Sequence, residues 1–470
     1  MVASKLKLMF LIQLLSLQLS AILSKRNDDN NGMSMNLHTR SNERFAAAND
    51  DGEYERFARI VEASKNRARA LKGGILYHCH QKRKSLEEIS VEESLYYPSD
   101  FIEYYIKLSV GTPAQDLFLI MDTGSSVVWT PCTSNYTCNN CHGFSTAFLP
   151  SESSSAVPVN CSDQKCRDVC GDGVCIGSVG NCSGDCPGYA LYYGTGNTTG
   201  HLLTETLVLP ALGRGEINNF GIGCSVVSFG FAGIAGFGRG GLSVPSQLSF
   251  LLGDKFAYCL DDLNNSSMIL LGDVAVPTNI SLNYTPFLNK SEAPSFKPYS
   301  EFYYVGLQGV SIGGKNLTLP SNLSTVDSNG NGGTVIDSGT SFTIFPGEIY
   351  NQIVGEFVSQ TGYRRAGDVE VMTGMGLCFN VSGVENANIQ LPEFVFHFNG
   401  GSDMVLPNWN SFALVRSDAI CLTMVNSSFF INPVGPAVLL GNYQQQNFYI
   451  LYDRENNSLG FTQQACKALG

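Results

Sequence analysis

Two stretches of this sequence carry the same arrangement of residues able to move protons. Ile120-Met121-Asp122-Thr123-Gly124-Ser125-Ser126 and Val335-Ile336-Asp337-Ser338-Gly339-Thr340-Ser341 lie 215 positions apart. Each reads as two apolar residues, Asp, a hydroxyl residue, Gly, a hydroxyl residue and Ser. A single Asp-x-Gly-Ser is an ordinary turn. Two copies, each behind an apolar lead-in, place two carboxylates at the ends of buried strands. Gly124 and Gly339 let the chain turn sharply, and Ser125 and Thr340 bring hydroxyls that can hydrogen-bond the carboxylates. If Asp122 and Asp337 face each other they cannot both ionise comfortably, so they share a proton. The ionised member then takes a proton from a water while the protonated member donates to a carbonyl oxygen. This is amide hydrolysis without metal, cofactor or covalent intermediate. It favours acid, and its pKa values belong to the pair.

The elements that must hold these residues are mostly short strands. Tyr104–Val110 is β-rich and stops at Gly111-Thr112-Pro113, a turn signal. Apolar runs recur at 117–121, 189–193, 202–209, 217–224, 256–260, 268–271, 302–307 and 448–452. Helical spacing is scarce; the best case is Tyr350, Ile353, Val354, Phe357 and Val358 after Pro346. Downstream of each Asp motif stands an apolar pair closed by Gly: Ile234-Ala235-Gly236 and Leu439-Leu440-Gly441. A two-part pattern that occurs twice predicts two homologous lobes, with a pseudo-twofold axis that brings Asp122 to Asp337.

On these residues the chain resembles the pepsin-like (A1) aspartic endopeptidases, and within them the plant nepenthesin-like branch, over roughly residues 100–470. The resemblance implies an all-β, bilobal pepsin-like fold with pseudo-twofold lobes and a few short helices. It makes Asp122 and Asp337 catalytic, with Thr123, Gly124, Ser125, Ser338, Gly339 and Thr340 supporting them. Trp129 matches the tryptophan that supports the flap. Tyr192-Tyr193-Gly194-Thr195-Gly196 matches the flap hairpin, with Tyr193, Gly194 and Thr195 meeting substrate. Leu439-Leu440-Gly441-Asn442, followed by Phe448-Tyr449-Ile450-Leu451-Tyr452-Asp453, matches the C-terminal stretch, and the cysteine-rich segment after Trp129 points to the nepenthesin-like branch. Cys378 and Cys421 are implied to pair. The partners implied are polypeptide substrates, with apolar side chains on both sides of the cut, and the chain's own propeptide. The residues alone also make sense of the flap: Gly194 and Gly196 permit a tight hairpin, and the Tyr193 hydroxyl can reach the Trp129 indole N–H. The expected domains are an N-terminal lobe over 101–280, with the cysteine-rich insertion and flap, and a C-terminal lobe over 281–470. Some plant relatives of this branch act as inhibitors of microbial glycosidases, and that group typically lacks one Asp motif or the flap tyrosine. This chain keeps both.

The front of the chain has another character. Residues 1–24 read as a signal peptide: Lys5 and Lys7, an apolar run over 8–19, then small residues at Ser20, Ala21 and Ser24. The run is shorter than the roughly 20 residues that span a bilayer, and no later stretch serves as a membrane span. Residues 25–100 are expected to be a propeptide, helical over 53–72. Residues 25–84 hold 13 Lys and Arg against 8 Asp and Glu, whereas 85–470 hold 14 against 33. A basic segment ahead of an acidic body attracts it at neutral pH. Acid weakens that attraction, and cleavage is expected between residues 84 and 101. The net charge of −12 argues against nucleic acid as a partner. A 15% charged, 43% hydrophobic chain with 11% aromatic residues is a folded body. The expected state is a secreted monomer, extracellular (apoplast or cell wall), with the vacuole as the other destination.

Of the 15 cysteines, nine fall within 132–186, and without Cys79 fourteen remain to pair. Secretion favours disulfides over a zinc site at Cys138-Asn139-Asn140-Cys141. Metal binding by His78-Cys79-His80 is discounted because three consecutive residues do not converge on one ion. Fourteen Asn-x-Ser/Thr triplets all follow residue 130. The glycosylation candidates are Asn135, Asn279, Asn316, Asn380 and Asn426. Asn197, in the flap, is expected to be unoccupied or to point outward. Gly236-Phe237-Gly238-Arg239-Gly240-Gly241 does not fit a nucleotide loop. No Gly-x-Ser-x-Gly occurs and no His sits in a triad motif, so serine hydrolysis has little support.

Overall fold

The computed structural model describes residues 32–39, 50–81, 103–142, 147–175, 183–194, 196–209, 215–261, 267–288, 301–327, 330–427 and 435–466. The expected signal peptide, the expected cleavage region over 84–101 and Thr195 lie outside the described residues. Strands dominate, with few helices, and the fold is all-β and bilobal.

In chain order the elements that matter here are β1 (Gly32–Thr39) and α1 (Asp50–Gln81), then β2 (Tyr104–Val110), β3 (Gln115–Asp122), β4 (Trp129–Pro131) and β5 (Thr137–His142). The first half continues with β6 (Tyr189–Tyr192), β7 (Asn197–Leu209), β8 (Gly215–Phe231), β9 (Ile234–Gly236), β10 (Lys255–Cys259) and β11 (Met268–Gly272). The second half contains β12 (Thr334–Ile336), β13 (Thr343–Phe345), α2 (Gly347–Gln360), α3 (Gly367–Thr373) and β14 (Phe412–Arg416). It closes with β15 (Val438–Leu440), β16 (Phe448–Asp453) and β17 (Ser458–Gln463).

The halves repeat one another around the two aspartates. β3 runs parallel to β9, with Gly236 opposite Asp122, and β9 meets β4 antiparallel. In the second half β12 runs parallel to β15 and β13 meets β15 antiparallel. A further sheet joins the halves: β10 pairs with β11 on one side and with β16 on the other, and β16 pairs with β17. β1 adds to this sheet beside β11 and also pairs with β2, so a strand from the front segment is stitched into the body. Beneath the site Phe256 stacks on Tyr452 at 4.4 Å, and Tyr303 meets Tyr452 edge-on at 4.7 Å. Such aromatic pairs each contribute about 0.5–1.5 kcal/mol beyond their buried area. Here they tie residues from both halves together.

α1 starts and ends beyond the 53–72 stretch expected from sequence. Tyr54, Phe57, Ile60, Val61 and Ala68 form one buried stripe at three- and four-residue spacing. The stripe packs on Phe342, Ile344, Val369, Ala413, Val415 and Val425 of the second half. Phe57 stacks on Phe342 at 6.4 Å, and the Arg416 guanidinium lies over the Tyr54 ring at 5.8 Å. The front segment therefore docks through an apolar face as well as through charge. α2 forms where the spacing places it and buries Ile349, Tyr350, Ile353 and Phe357. Val358 is exposed: eight residues on from Tyr350 the stripe has turned about 80° around the axis.

Disulfides join Cys132–Cys224, Cys138–Cys141, Cys166–Cys186, Cys170–Cys175, Cys259–Cys466 and Cys378–Cys421. Cys161 is disulfide-bonded too. Cys138 and Cys141 are thus spent on each other. Cys259–Cys466 closes a separation of 207 residues and fastens the segment that follows β17 to β10. Replacing both cysteines with Ser should cost about 2–5 kcal/mol. Calorimetry of the intact chain checks this as a lowered Tm; an unchanged Tm would count against it.

Candidate active site

Each aspartate is held by its strand pair. The Phe237 N–H donates to Asp122 O at 2.7 Å, and the Asp337 N–H donates to Leu440 O at 3.0 Å. Gly236 and Gly441 stand where these strands cross the following loops. A Cβ on Gly236 would lie 2.4 Å from Ser126 C, and one on Gly441 would lie 2.5 Å from Ser341 O. Both aspartates are fully or almost fully buried.

The residue after each Asp locks the two loops together. Thr123 N–H donates to Ser338 Oγ at 3.0 Å and Ser338 N–H donates to Thr123 Oγ1 at 2.9 Å. Thr123 Oγ1 in turn donates to Ile336 O at 3.1 Å, and Ser338 Oγ donates to Met121 O at 2.9 Å. Four buried hydrogen bonds, reciprocal across the pseudo-twofold, fix the distance between the loops. Each carboxylate is oriented in the same way. Ser125 Oγ donates to Asp122 Oδ2 at 2.7 Å and Gly124 N–H to Oδ1 at 2.9 Å. Thr340 Oγ1 donates to Asp337 Oδ2 at 2.6 Å and Gly339 N–H to Oδ1 at 2.9 Å. The glycines are also needed for closeness: a Cβ on Gly124 would lie 2.7 Å from Asp337 Oδ1, and one on Gly339 would lie 2.4 Å from Asp122 Oδ1.

Arg67 of α1 reaches into this pair. Its Nη2 donates to both Asp122 oxygens, at 2.7 and 2.9 Å, and its Nε donates to Asp337 Oδ2 at 3.2 Å. Burial works against the guanidinium charge, but Asp122 and Asp337 outweigh it and hold Arg67 above its usual value. Burial raises the Asp122 carboxyl above the usual carboxylate range, Arg67 pulls it down, and the Asp337 charge raises it further. One guanidinium thus stands against two carboxylates in a dry site. This arrangement is held by good geometry rather than by bulk attraction, because taking each ion out of water costs several kcal/mol.

Trp129 Nε1 donates to the Tyr193 hydroxyl at 2.8 Å, and Phe231 meets the Tyr193 ring edge-on at 5.8 Å. Burial and the nearby Asp122 charge push the Tyr193 hydroxyl well above 10, so it keeps its proton. Next to it, Gly194 lies against α1: a Cβ there would stand 2.1 Å from Arg67 Cα and 2.5 Å from Arg67 N.

Other clusters do not compete. Cys166, Cys170 and Cys186 bring three sulfurs together, but all are in disulfides. On the second half, Ser311 Oγ lies 2.9 Å from His397 Nε2, and His397 Nδ1 lies 2.7 Å from Asp403 Oδ1. No sequence motif announces this Ser–His–Asp chain. Ser311 sits within a strand paired on both edges, where backbone N–H groups serve the ladder rather than an oxyanion. Among the glycosylation candidates Asn135, Asn279, Asn316 and Asn380 are exposed and Asn426 is half-buried.

Sequence reasoning assigned the hydroxyl contacts to Ser125 and Thr340 and did not see the crossed bonds of Thr123 and Ser338. The hydroxyl directly after both aspartates was the available signal. Arg67 was also missed. It is one of 13 basic residues in the front segment, and only the helical register picks it out.

The chain matches two family models, Xylanase inhibitor N-terminal over residues 104–273 and Xylanase inhibitor C-terminal over 302–463. It is 37% identical over 376 residues to the aspartic proteinase nepenthesin-1 of Nepenthes gracilis, covering 78% of each chain. It is 31% identical over 425 residues to nepenthesin-2 of the same plant, covering 88% of this chain and 87% of the relative. Among solved structures it is similar in fold to edgp, with a TM-score of 0.61 and 21% identity over 78% of this chain and 93% of that one. It is also similar to basic 7S globulin from soybean, with a TM-score of 0.58 and 18% identity over the same shares.

Arg67→Met leaves two buried carboxylates facing an apolar chain, which weakens docking of α1 by about 3 kcal/mol or more. Amide hydrogen exchange over residues 54–69 at neutral pH should accelerate about a hundredfold. Unchanged exchange would contradict this account of the contact.

Proposed function

The chain belongs to the nepenthesin-like branch of the pepsin-like (A1) aspartic proteases, and we propose that it is a secreted, acid-acting endopeptidase made as a zymogen. One observation carries the reading: the two carboxylates meet at one site, each with its own hydroxyl and N–H donors, and a front-segment arginine spans both.

In the working form Arg67 is gone and a water takes its place between Asp122 and Asp337. The ionised carboxylate accepts a proton from that water. Its oxygen attacks the peptide carbonyl, and the protonated carboxyl donates to the carbonyl oxygen. Collapse of the tetrahedral species returns a proton to the leaving amine. Tyr193, held by Trp129, closes over the substrate with Gly194 and Thr195 and excludes water. Thr123 and Ser338 hold the dyad geometry, with Gly124, Ser125, Gly339 and Thr340.

The pH dependence follows from linkage. Arg67 lowers the proton affinity of Asp122, so Asp122 binds a proton more tightly once α1 has left. Release therefore takes up protons: docking is favoured at neutral pH and is lost as pH falls through the range of the released dyad. On this reading residues 1–24 are a signal peptide and 25–100 a propeptide. Residues 101–280 and 281–470 are the lobes, and the product is an extracellular or vacuolar monomer acting on polypeptides. No helix among the described residues is long and apolar enough to cross a membrane. A non-catalytic binding role has in its favour the descriptions of the two matched family models. The intact dyad and Tyr193 favour catalysis.

Two experiments test this. The whole chain, secreted and then brought to about pH 3.5, should cleave unfolded globin and be blocked by pepstatin. Asp122→Asn and Asp337→Asn should each lower the rate about a thousandfold or more; an active single variant would remove the dyad from the mechanism. Gly194→Ala places a methyl against the backbone of Arg67 and should move the activation midpoint upward by roughly half a pH unit or more. A midpoint that stays put or falls would contradict the assignment of Gly194 to α1 docking.

A further inference from the structure

The flap hairpin has an outer face as well as the inner one that carries Tyr193. Cross-strand partners project from the same face of a sheet. Leu191, Thr198 and Ser228 form one register row across β6, β7 and β8, and all three are buried. The next row is Tyr192, Asn197 and Phe229, continued by Asn139 on β5. By alternation this row faces out, and Tyr192 is 44% exposed and Phe229 42%. Val227, two positions before Phe229, is 42% exposed. Three large apolar side chains on neighbouring strands are thus partly exposed on one face of this sheet. Exposed apolar groups clustered in this way mark a surface that something covers.

Asn197 stands between the two rings, on the strand between theirs. It is exposed, its side chain makes no hydrogen bond among the described residues, and it opens the triplet Asn197-Thr198-Thr199. We propose that Asn197 carries an N-linked glycan whose first sugar rests on Tyr192 and Phe229. The occupant is argued from register: Asn197 is the cross-strand partner of both Tyr192 and Phe229, so its side chain leaves the sheet beside both rings. A hexosamine offers an apolar face of C–H groups that suits an aromatic ring. In the attachment step the Asn197 Nδ2 bonds to C1 of a lipid-linked oligosaccharide diphosphate. The C1–O bond breaks, the lipid diphosphate leaves with the electron pair, and the Nδ2 proton passes to a base. Attachment precedes folding, so the later burial of Thr198, whose Oγ1 donates to Ser225 Oγ at 2.7 Å, does not oppose it. The glycan would sit on the side of the hairpin away from Asp122 and Asp337. It would stiffen the strands that carry Tyr193 without entering the cleft.

The inference rests on the secretion part of the proposed function, and the test separates the two. The whole chain is secreted from plant cells and its glycopeptides are mapped by mass spectrometry. The folded protein is then labelled with hydroxyl radicals before and after an amidase removes the whole glycan. Asn197 should be occupied, and labelling of Tyr192 and Phe229 should rise about twofold or more on removal. Glycans at Asn135 or Asn316 with Asn197 bare would overturn the inference and leave secretion standing. Occupancy at Asn197 with unchanged ring labelling would overturn the seat on the rings. Every triplet bare would overturn both.

Discussion

Two carboxylates in one dry site are the constraint around which this protein is arranged. Neither can be ionised freely beside the other, so the charge must be shared with a proton or balanced by a cation. The structure shows the second solution, and the proposed function uses the first once α1 has left. With α1 docked, a guanidinium spans Asp122 and Asp337. Without it, the pair has to hold a proton, and that is the state able to accept from a water and donate to a carbonyl. Burial raises Asp122 and also opposes the guanidinium charge, so it is the paired charges of Asp122 and Asp337 that hold the arginine.

The rest of the fold serves to keep that pair close. Strand pairs repeated in each half hold the two loops, and Thr123 and Ser338 cross-link them with bonds that each half supplies to the other. Glycines stand at three of the close approaches to carboxylate or helix, at 124, 339 and 194. α1 follows the same logic at larger scale. Its apolar stripe sets the register, and the register sends one arginine, out of many basic residues, into the only place among the described residues where two buried carboxylates meet.

Much of this was legible in the sequence, for a physical reason. The Asp motifs, the apolar-Gly partners and the strand runs are local patterns, and a pattern that occurs twice reports a symmetric fold. Val358 shows the limit of spacing alone, since a helical stripe is only as wide as the surface it meets. What could not be read depends on long-range register. The crossed bonds of Thr123 and Ser338 need the lobes docked. Arg67 is marked by nothing but its position three and six residues beyond Ser64 and Val61, on the face that docks. The row of Tyr192, Asn197 and Phe229 joins the flap hairpin, which Gly194 and Gly196 announce, to a third strand whose register against it no local signal fixes.

The most direct test of the charge balance is the amide protection of residues 54–69 in the intact chain, followed from neutral pH into acid. The account predicts protection that falls steeply as the dyad protonates, with about one proton or more taken up per opening. Protection that does not change with pH would mean that no ionised pair holds the helix, and would contradict it.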